Sequence, residues 1–174
     1  MAFISISITK NHPLILGKGG FGRQLADWLS AEGWGEAEFL DDSAPGCVGG
    51  LRDYADPKLL KPGRPAFVAL GDNALRVELL QKLAAAGYDT PVFISDMAAV
   101  SPSAVLEPGC VILPQAYVGA DAHLGVGCIV NGGAIVDPDA VLGRGVHVAP
   151  GGIVKAGAEV EALTKVDSGE IIKK

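Results

Sequence analysis

Val118-Gly119-Ala120-Asp121-Ala122-His123-Leu124-Gly125-Val126-Gly127-Cys128-Ile129-Val130-Asn131-Gly132-Gly133-Ala134-Ile135-Val136 repeats one six-residue unit three times. A branched aliphatic opens each unit at Val118, Leu124 and Val130, and a small residue follows four places later at Ala122, Cys128 and Ala134. The same two ladders extend outward in both directions. Val100, Leu106, Ile112, Val118, Leu124, Val130, Val136, Leu142, Val148, Val154 and Val160 form the first, and Ala104, Cys110, Ala116, Ala122, Cys128, Ala134, Ala140, Val146, Gly152, Ala158 and Thr164 the second. A helix repeats its apolar positions near every 3.6 residues and a strand every 2, so a period of six describes a short strand plus a turn. Pro102, Pro108, Pro114, Pro138 and Pro150 oppose a helix as well, since an interior proline costs one about 3 kcal/mol. Three hexads make an eighteen-residue coil that stacks Val100, Val118, Val136 and Val154 in one column and Leu106, Leu124, Leu142 and Val160 in the next. Like side chains then lie about 4.8 Å apart, the spacing of hydrogen-bonded strands. Residues 97–174 are therefore expected to form an all-β parallel β-helix with three flat sides and three to four coils.

The chain has 174 residues, 49% hydrophobic but only 6% aromatic, with twenty acidic against fourteen basic residues. It carries no basic run, so a nucleic-acid partner is not expected. No apolar stretch approaches the ~18 residues of a membrane span, so no membrane partner is expected either. Ala2–Thr9 alternates apolar and polar residues and lacks the basic lead of a signal peptide, which reads as a strand in a cytoplasmic protein. Cys110 and Cys128 occupy the same slot of successive coils. A disulfide or metal pair is one reading, and small apolar filler like the alanines around them is the expected one. Cys47 carries no motif, and no metal is expected.

Residues 1–96 alternate strand and helix, which predicts a small Rossmann-like α/β domain with a parallel sheet. The expected strands are His12–Leu16, Glu38–Leu40, Ala66–Leu70 and Pro91–Ile94. The expected helices run from about Gly22 to Glu32 and from about Asn73 to Ala86. The second carries a stripe of Leu75, Leu79, Leu80 and Leu83, with Asp72 or Asn73 as its cap and Gly87 as its stop. Between the first strand and first helix stands Gly17-Lys18-Gly19-Gly20-Phe21-Gly22, a GxGxxG turn whose glycines let backbone approach a phosphate at a helix N-terminus. Asp41 and Asp42 end the second strand about twenty residues on, where an acid can bind a ribose hydroxyl. A tight turn that only packs helix on strand is the alternative. The sheet is too small for a full dinucleotide site, and a nucleotide attached to a sugar fits better.

Together these motifs resemble the hexapeptide-repeat acyltransferases, in the branch of sialic-acid O-acetyltransferases and nucleotide-amino-sugar N-acetyltransferases. The resemblance rests on the glycine-rich turn, Phe39-Leu40-Asp41-Asp42, Gly71-Asp72-Asn73-Ala74-Leu75-Arg76 and the hexad coils. It implies a left-handed coil, a homotrimer, a role in polysaccharide biosynthesis and an N-terminal domain that holds a nucleotide-sugar through Gly17, Gly19, Gly20, Phe21, Gly22, Asp41 and Asp42. It also implies acetyl-CoA lying along the prism between two subunits, with Gly151, Gly152, Ala156 and Gly157 leaving room for pantetheine, and direct attack of the acceptor on the thioester. Asn131, Asp139 and His147 match the family pattern at the reacting centre. Pro138 stands where the family has its general-base histidine, Phe21 where it has a sugar-facing histidine, and Leu163–Ile172 reads as an early closing segment. His147, His123, Asp137 and Asp139 are the remaining proton acceptors. Two functions stay open: an acetyl-CoA-dependent N- or O-acyltransferase acting on a nucleotide-linked sugar, and a catalytically inactive relative that serves as a nucleotide-sugar-binding, regulatory or scaffold trimer.

Overall fold

The computed structural model describes residues 12–59 and 61–174, so the strand expected at Ala2–Thr9 lies outside the described residues. In the first half, β1 (Leu14–Leu16), β2 (Glu38–Leu40) and β3 (Ala66–Val68) form a parallel sheet in the order β2-β1-β3. Helix α1 (Gly20–Ala31) follows β1, and α2 (Asn73–Ala86) follows β3. All three residues of β1 are buried, as expected of the central strand of a sheet covered on both faces. Helix α1 begins two residues before its expected start, at Gly20, with the extended Gly19 before it as an N-cap that supplies no side-chain bond. Helix α2 spans the expected residues. The Asp72 carboxylate accepts the Leu75 N–H at 2.9 Å, and Gly87 closes the helix at φ 97°, as left-handed C-caps do.

From Phe93 onward the chain winds as a triangular prism of two-residue rungs. Face one stacks Phe93–Ile94, Val111–Ile112, Ile129–Val130, His147–Val148 and Lys165–Val166. Face two stacks Ala99–Val100, Tyr117–Val118, Ile135–Val136, Ile153–Val154 and Ile171–Ile172. Face three stacks Val105–Leu106, His123–Leu124, Val141–Leu142 and Glu159–Val160. All pairs are parallel and offset by eighteen residues, which gives four complete coils and two sides of a fifth. The second residue of each rung points inward. With the small residues of the second ladder it makes one continuous core from Cys110 to Val166. Each buried aliphatic there contributes roughly 1.5–3 kcal/mol, and stacking identical shapes leaves few voids. Cys110 and Cys128 are free thiols buried in this core, as the filler reading anticipates.

Two expectations are corrected. Phe93–Ile94 is not a fourth strand of the small sheet: it pairs with Val111–Ile112 and opens the prism. Leu163–Ile172 does not close the prism differently: Lys165–Val166 and Ile171–Ile172 continue the parallel ladder in register. In both cases the backbone donors and acceptors of a neighbouring rung are available only along the prism axis. Among the described residues no helix is long and apolar enough to cross a membrane.

Corners take the left-handed conformation at a fixed place in every hexad from Gly109 to Gly169, usually at glycine but also at Gln115, Asp121, Asp139 and Leu163. The corner column Gly109, Gly127 and Gly145 supports helix α2. A Cβ on Gly109 or Gly127 would fall 2.8 or 2.6 Å from a methyl of Leu80, and one on Gly145 would fall 2.7 Å from a methyl of Val77. On face one, Phe93, Val111 and Ile129 turn outward into a second core with Ile15, Leu25, Leu29 and Phe67. The α/β domain thus packs on one face and one edge of the prism.

Candidate functional site

The turn after β1 is built by close backbone approach. Gly17 adopts φ 100° and passes so near β3 that a Cβ would lie 2.7 Å from the Ala69 carbonyl oxygen. A Cβ on Gly22 would overlap the Gly17 carbonyl. Gly19 and Gly20 have nothing within 4 Å of a Cβ position, so the N-terminus of α1 faces open space with no side-chain cap. Unpaired N–H groups and the helix dipole make such an end favourable for an anion. It lies at the carboxyl end of β1, beside β3, where the strand order reverses and parallel sheets place their ligands.

Asp41 is committed to the protein itself. Its Oδ2 accepts the Lys18 N–H at 2.8 Å, and its Oδ1 accepts the N–H groups of Ser43 and Ala44 at 2.9 and 2.8 Å and the Ser43 hydroxyl at 3.1 Å. These bonds, that from Lys18 first, hold its carboxyl well below the usual carboxylate range. Asp42 is exposed, and its Oδ1 accepts the Leu51 N–H at 2.8 Å. It borders a recess of about 220 Å³ with Leu51, Arg52, Tyr54 and Leu75. A larger cleft of about 740 Å³ opens beside β2 among His12, Glu38, Phe39 and Arg64 and contains none of the expected site residues.

On the prism, His147 is the outward residue of the fourth rung of face one, directly beyond the buried Phe93, Val111 and Ile129. It is half-buried at the rim of the domain contact. The Asn131 Nδ2 donates to His147 Nε2 over 3.4 Å, which leaves the ring proton on Nδ1. Asn131 Oδ1 accepts the Gly132 N–H at 2.8 Å, fixing the amide's orientation. Burial, then the charges of Arg76 and Lys165, hold the His147 pKa down to about 4. The ring is neutral at pH 7, with a donor free at Nδ1. The Phe21 ring of the glycine-rich turn stands 6.5 Å from the His147 ring, tilted by 34°. Two motifs 126 residues apart in sequence therefore share one surface.

The other expected residues fall elsewhere. Asp139 is an exposed left-handed corner residue, with its N–H donated to the Ala120 carbonyl at 2.9 Å; it turns the chain from face two to face three, whereas His147 lies on face one. Pro138 packs over Gly119, where a Cβ would be 2.7 Å from the ring. Asp137 lies 3.6 Å from the Lys155 ammonium. His123 sits on face three and bonds Glu107 at 2.9 Å. Gly151 and Ala156 are exposed and Gly157 is half-buried, whereas Gly152 is buried in the small slot of the inner ladder. Sequence reasoning missed Arg76. It is 1% exposed and bonds the Gly127 and Gly145 carbonyls across the domain joint and the Leu70 carbonyl on its own side. Burial lowers its pKa to about 10, so it is still charged at neutral pH.

A family model described as the PglD N-terminal domain matches residues 14–83. The chain is similar to the acetyltransferase domain of PglB from Neisseria gonorrhoeae, at 33% identity over 93% of this chain and 87% of that one, with a TM-score of 0.77. That domain has also been solved in complex with acetyl coenzyme A, with a TM-score of 0.75 to this chain. PerB from Caulobacter crescentus, in complex with CoA and GDP-perosamine, is 28% identical over 94% of this chain and 89% of that one, with a TM-score of 0.74.

Proposed function

The chain belongs to the hexapeptide-repeat, left-handed β-helix sugar acetyltransferases, and on that premise we propose that it transfers an acetyl group from acetyl-CoA to an amine on a nucleotide-linked sugar. The observation that carries this reading is the meeting of Phe21, from the glycine-rich turn, with the Asn131–His147 pair on the prism. A sugar whose diphosphate lies on the N-terminus of α1 would reach toward that pair. Asp42 is the acid available to a ribose hydroxyl, while Asp41 shapes the loop that carries it. The relatives solved with acetyl coenzyme A or with CoA and GDP-perosamine support both ligand classes.

In the transfer, the amine nitrogen attacks the thioester carbonyl carbon. A C–N bond forms, the C–S bond breaks, and the nitrogen's proton leaves with the thiolate as CoA thiol. A histidine with a pKa near 4 and with Nε2 already accepting from Asn131 is a poor base at neutral pH. Its free Nδ1–H is instead suited to donate to the carbonyl oxygen as negative charge develops there. An acceptor that enters as free amine needs no protein base. A hydroxyl acceptor would, and Pro138 removes the family's. This favours N- over O-acetylation.

The homotrimer belongs to the same proposal. Ala99, Tyr117, Ile135, Ile153 and Ile171 make an unbroken apolar outward column on face two, and subunit contact there would bring the Asp139 corner of one copy toward His147 of another. Gly151 and Ala156 would then line the pantetheine path. A cytoplasmic location and a place in polysaccharide biosynthesis accord with nucleotide-linked substrates. The second reading, a non-catalytic nucleotide-sugar-binding trimer, is favoured by Pro138 and Phe21 in two histidine positions.

Calorimetry with acetyl-CoA, followed by a thiol-release assay over UDP-, GDP- and dTDP-linked amino sugars, decides between them. Heat on acetyl-CoA addition with CoA release supports the transferase. Nucleotide-sugar binding with neither supports the non-catalytic reading.

A further inference from the structure

Arg76 leaves the first turns of α2 and enters the joint between the two halves, where its guanidinium spans three backbone segments. Its Nε donates to the Gly127 carbonyl at 2.9 Å and one terminal nitrogen to the Gly145 carbonyl at 2.7 Å. The other terminal nitrogen donates to the Leu70 carbonyl at 3.0 Å and to Asn73 Oδ1 at 2.8 Å. Gly127 and Gly145 are corners of successive coils, joined by the Gly145 N–H donating to Val126 at 2.8 Å. Leu70 opens the short loop between β3 and α2, and it touches the glycine-rich turn: a Cβ on Gly17 would lie 2.7 Å from a Leu70 methyl. Gly145 lies two residues before His147. Asn73 extends the clamp one coil further by donating to the Leu163 carbonyl at 2.8 Å.

We propose that Arg76 is a positioning residue for acyl transfer: its planar fork sets the β3 loop, and with it the nucleotide-sugar crevice, at a fixed distance from the coil that carries His147. The inference rests on the transferase reading above. A guanidinium can bond two stacked corners and a loop carbonyl at once because its donors diverge in one plane. A lysine ammonium offers three donors from a single atom and cannot span the same three carbonyls. Small misplacements of reacting groups are costly: about 1 Å reduces rate on the order of a hundredfold.

The test is Arg76→Lys, which keeps the charge. The expected result is a kcat lowered roughly 10–100-fold, with KM for acetyl-CoA and for the nucleotide-linked amino sugar within about threefold of the starting values. An unchanged kcat overturns the proposal. So does a loss that appears equally in kcat, both KM values and the fraction folded, since that is a structural role alone. Amide hydrogen exchange on the ligand-free protein provides a readout that survives failure of the transferase reading. Exchange at Asp72–Asn73 and Gly145–His147 should quicken about tenfold or more in the variant, while β1 and Ile129–Val130 stay protected. Uniform or absent change overturns the proposal whether or not the protein transfers acetyl groups. Should Arg76→Lys fail to fold, Asn73→Ala serves in its place and should show the same pattern at smaller amplitude, an unaltered pattern counting against the proposal.

Discussion

Faces one and two of the prism are built from the same rungs, yet their outward columns differ. On face one, Val111 and Ile129 are 2% and 1% exposed beneath the α/β domain, and the covering ends at half-buried His147 and exposed Lys165. On face two, Tyr117 and Ile171 are 40% and 47% exposed, with Ile135 and Ile153 half-buried between them. An aliphatic ladder inside a coil says nothing about what covers it outside. Face one is finished by the chain's own first half, and its rim holds the candidate site. Face two is apolar and bare in the single chain, which is the basis for proposing subunit contact there.

The largest effect that would sharpen this contrast comes from moving one charge between the faces. Ile129→Asp places a carboxylate in the domain joint, where an unpaired buried charge costs about 3–5 kcal/mol. The melting temperature should fall by about 10 °C or more for a chain of this length. Ile153→Asp should leave the isolated chain within about 1 kcal/mol of the parent but, if face two is the proposed subunit contact, reduce the parent's light-scattering mass to that of a monomer. Equal effects at both sites would erase the distinction between the faces.

Corners offer the next comparison. Gly133→Ala pays only for the left-handed backbone, about 1–2 kcal/mol, since nothing stands within 4 Å of its Cβ position. Gly145→Ala carries the same backbone cost and also drives a Cβ to 2.7 Å from Val77 beneath helix α2, adding about 1–3 kcal/mol. Gly145→Ala should show the lower denaturant midpoint, and equal midpoints would mean that the helix yields easily.

His147 sets a pH dependence confined to the rim of face one. Its folded pKa, near 4, lies below an unfolded value of about 6.5. Between these values the unfolded chain binds a proton that the folded chain does not, so stability falls as pH drops from about 6.5 to 4 and levels off below that. His147→Gln should lose this increment, so its melting temperature should decline less than the parent's between pH 7 and pH 4.5. Identical slopes would mean that the ring titrates normally.

The smallest expected change in stability is at Gly19. Its φ is −66° and its Cβ position is open, so Gly19→Ala should alter stability by less than about 0.5 kcal/mol. Nucleoside-diphosphate affinity, measured by calorimetry, should nonetheless weaken if a phosphate sits against that turn. Undiminished affinity would move the anion elsewhere.

Much of the fold could be read from residue spacing. The unbroken ladder from Val100 to Val160 keeps its period to Ile94, Val166 and Ile172, three more rungs that share the spacing and the register. Ile94 is 41% exposed at the open end of the prism, which is why a terminal rung resembles a strand of the preceding sheet. Arg76 was legible only in part. It lies on the same helical stripe as Leu80 and Leu83, but a charge on an apolar stripe ordinarily reads as a boundary of that stripe. Its partners are backbone carbonyls, which no side-chain pattern announces. The glycines at 109, 127 and 145, eighteen apart, were the available sign that something packs along that edge.

The sequence by itself determined the prism, because an inward residue interacts mainly with its counterparts one coil above and below, and a local repeat records that relation completely. It also determined the separate α/β elements, whose caps and stripes are local too. Only the tertiary structure decided which outward face the first half covers, that Phe21 meets His147, that Asp41 is consumed by Lys18 of the glycine-rich turn, and that Arg76 bridges the halves. Those contacts join single residues far apart along the chain, and a contact made once has no period to betray it.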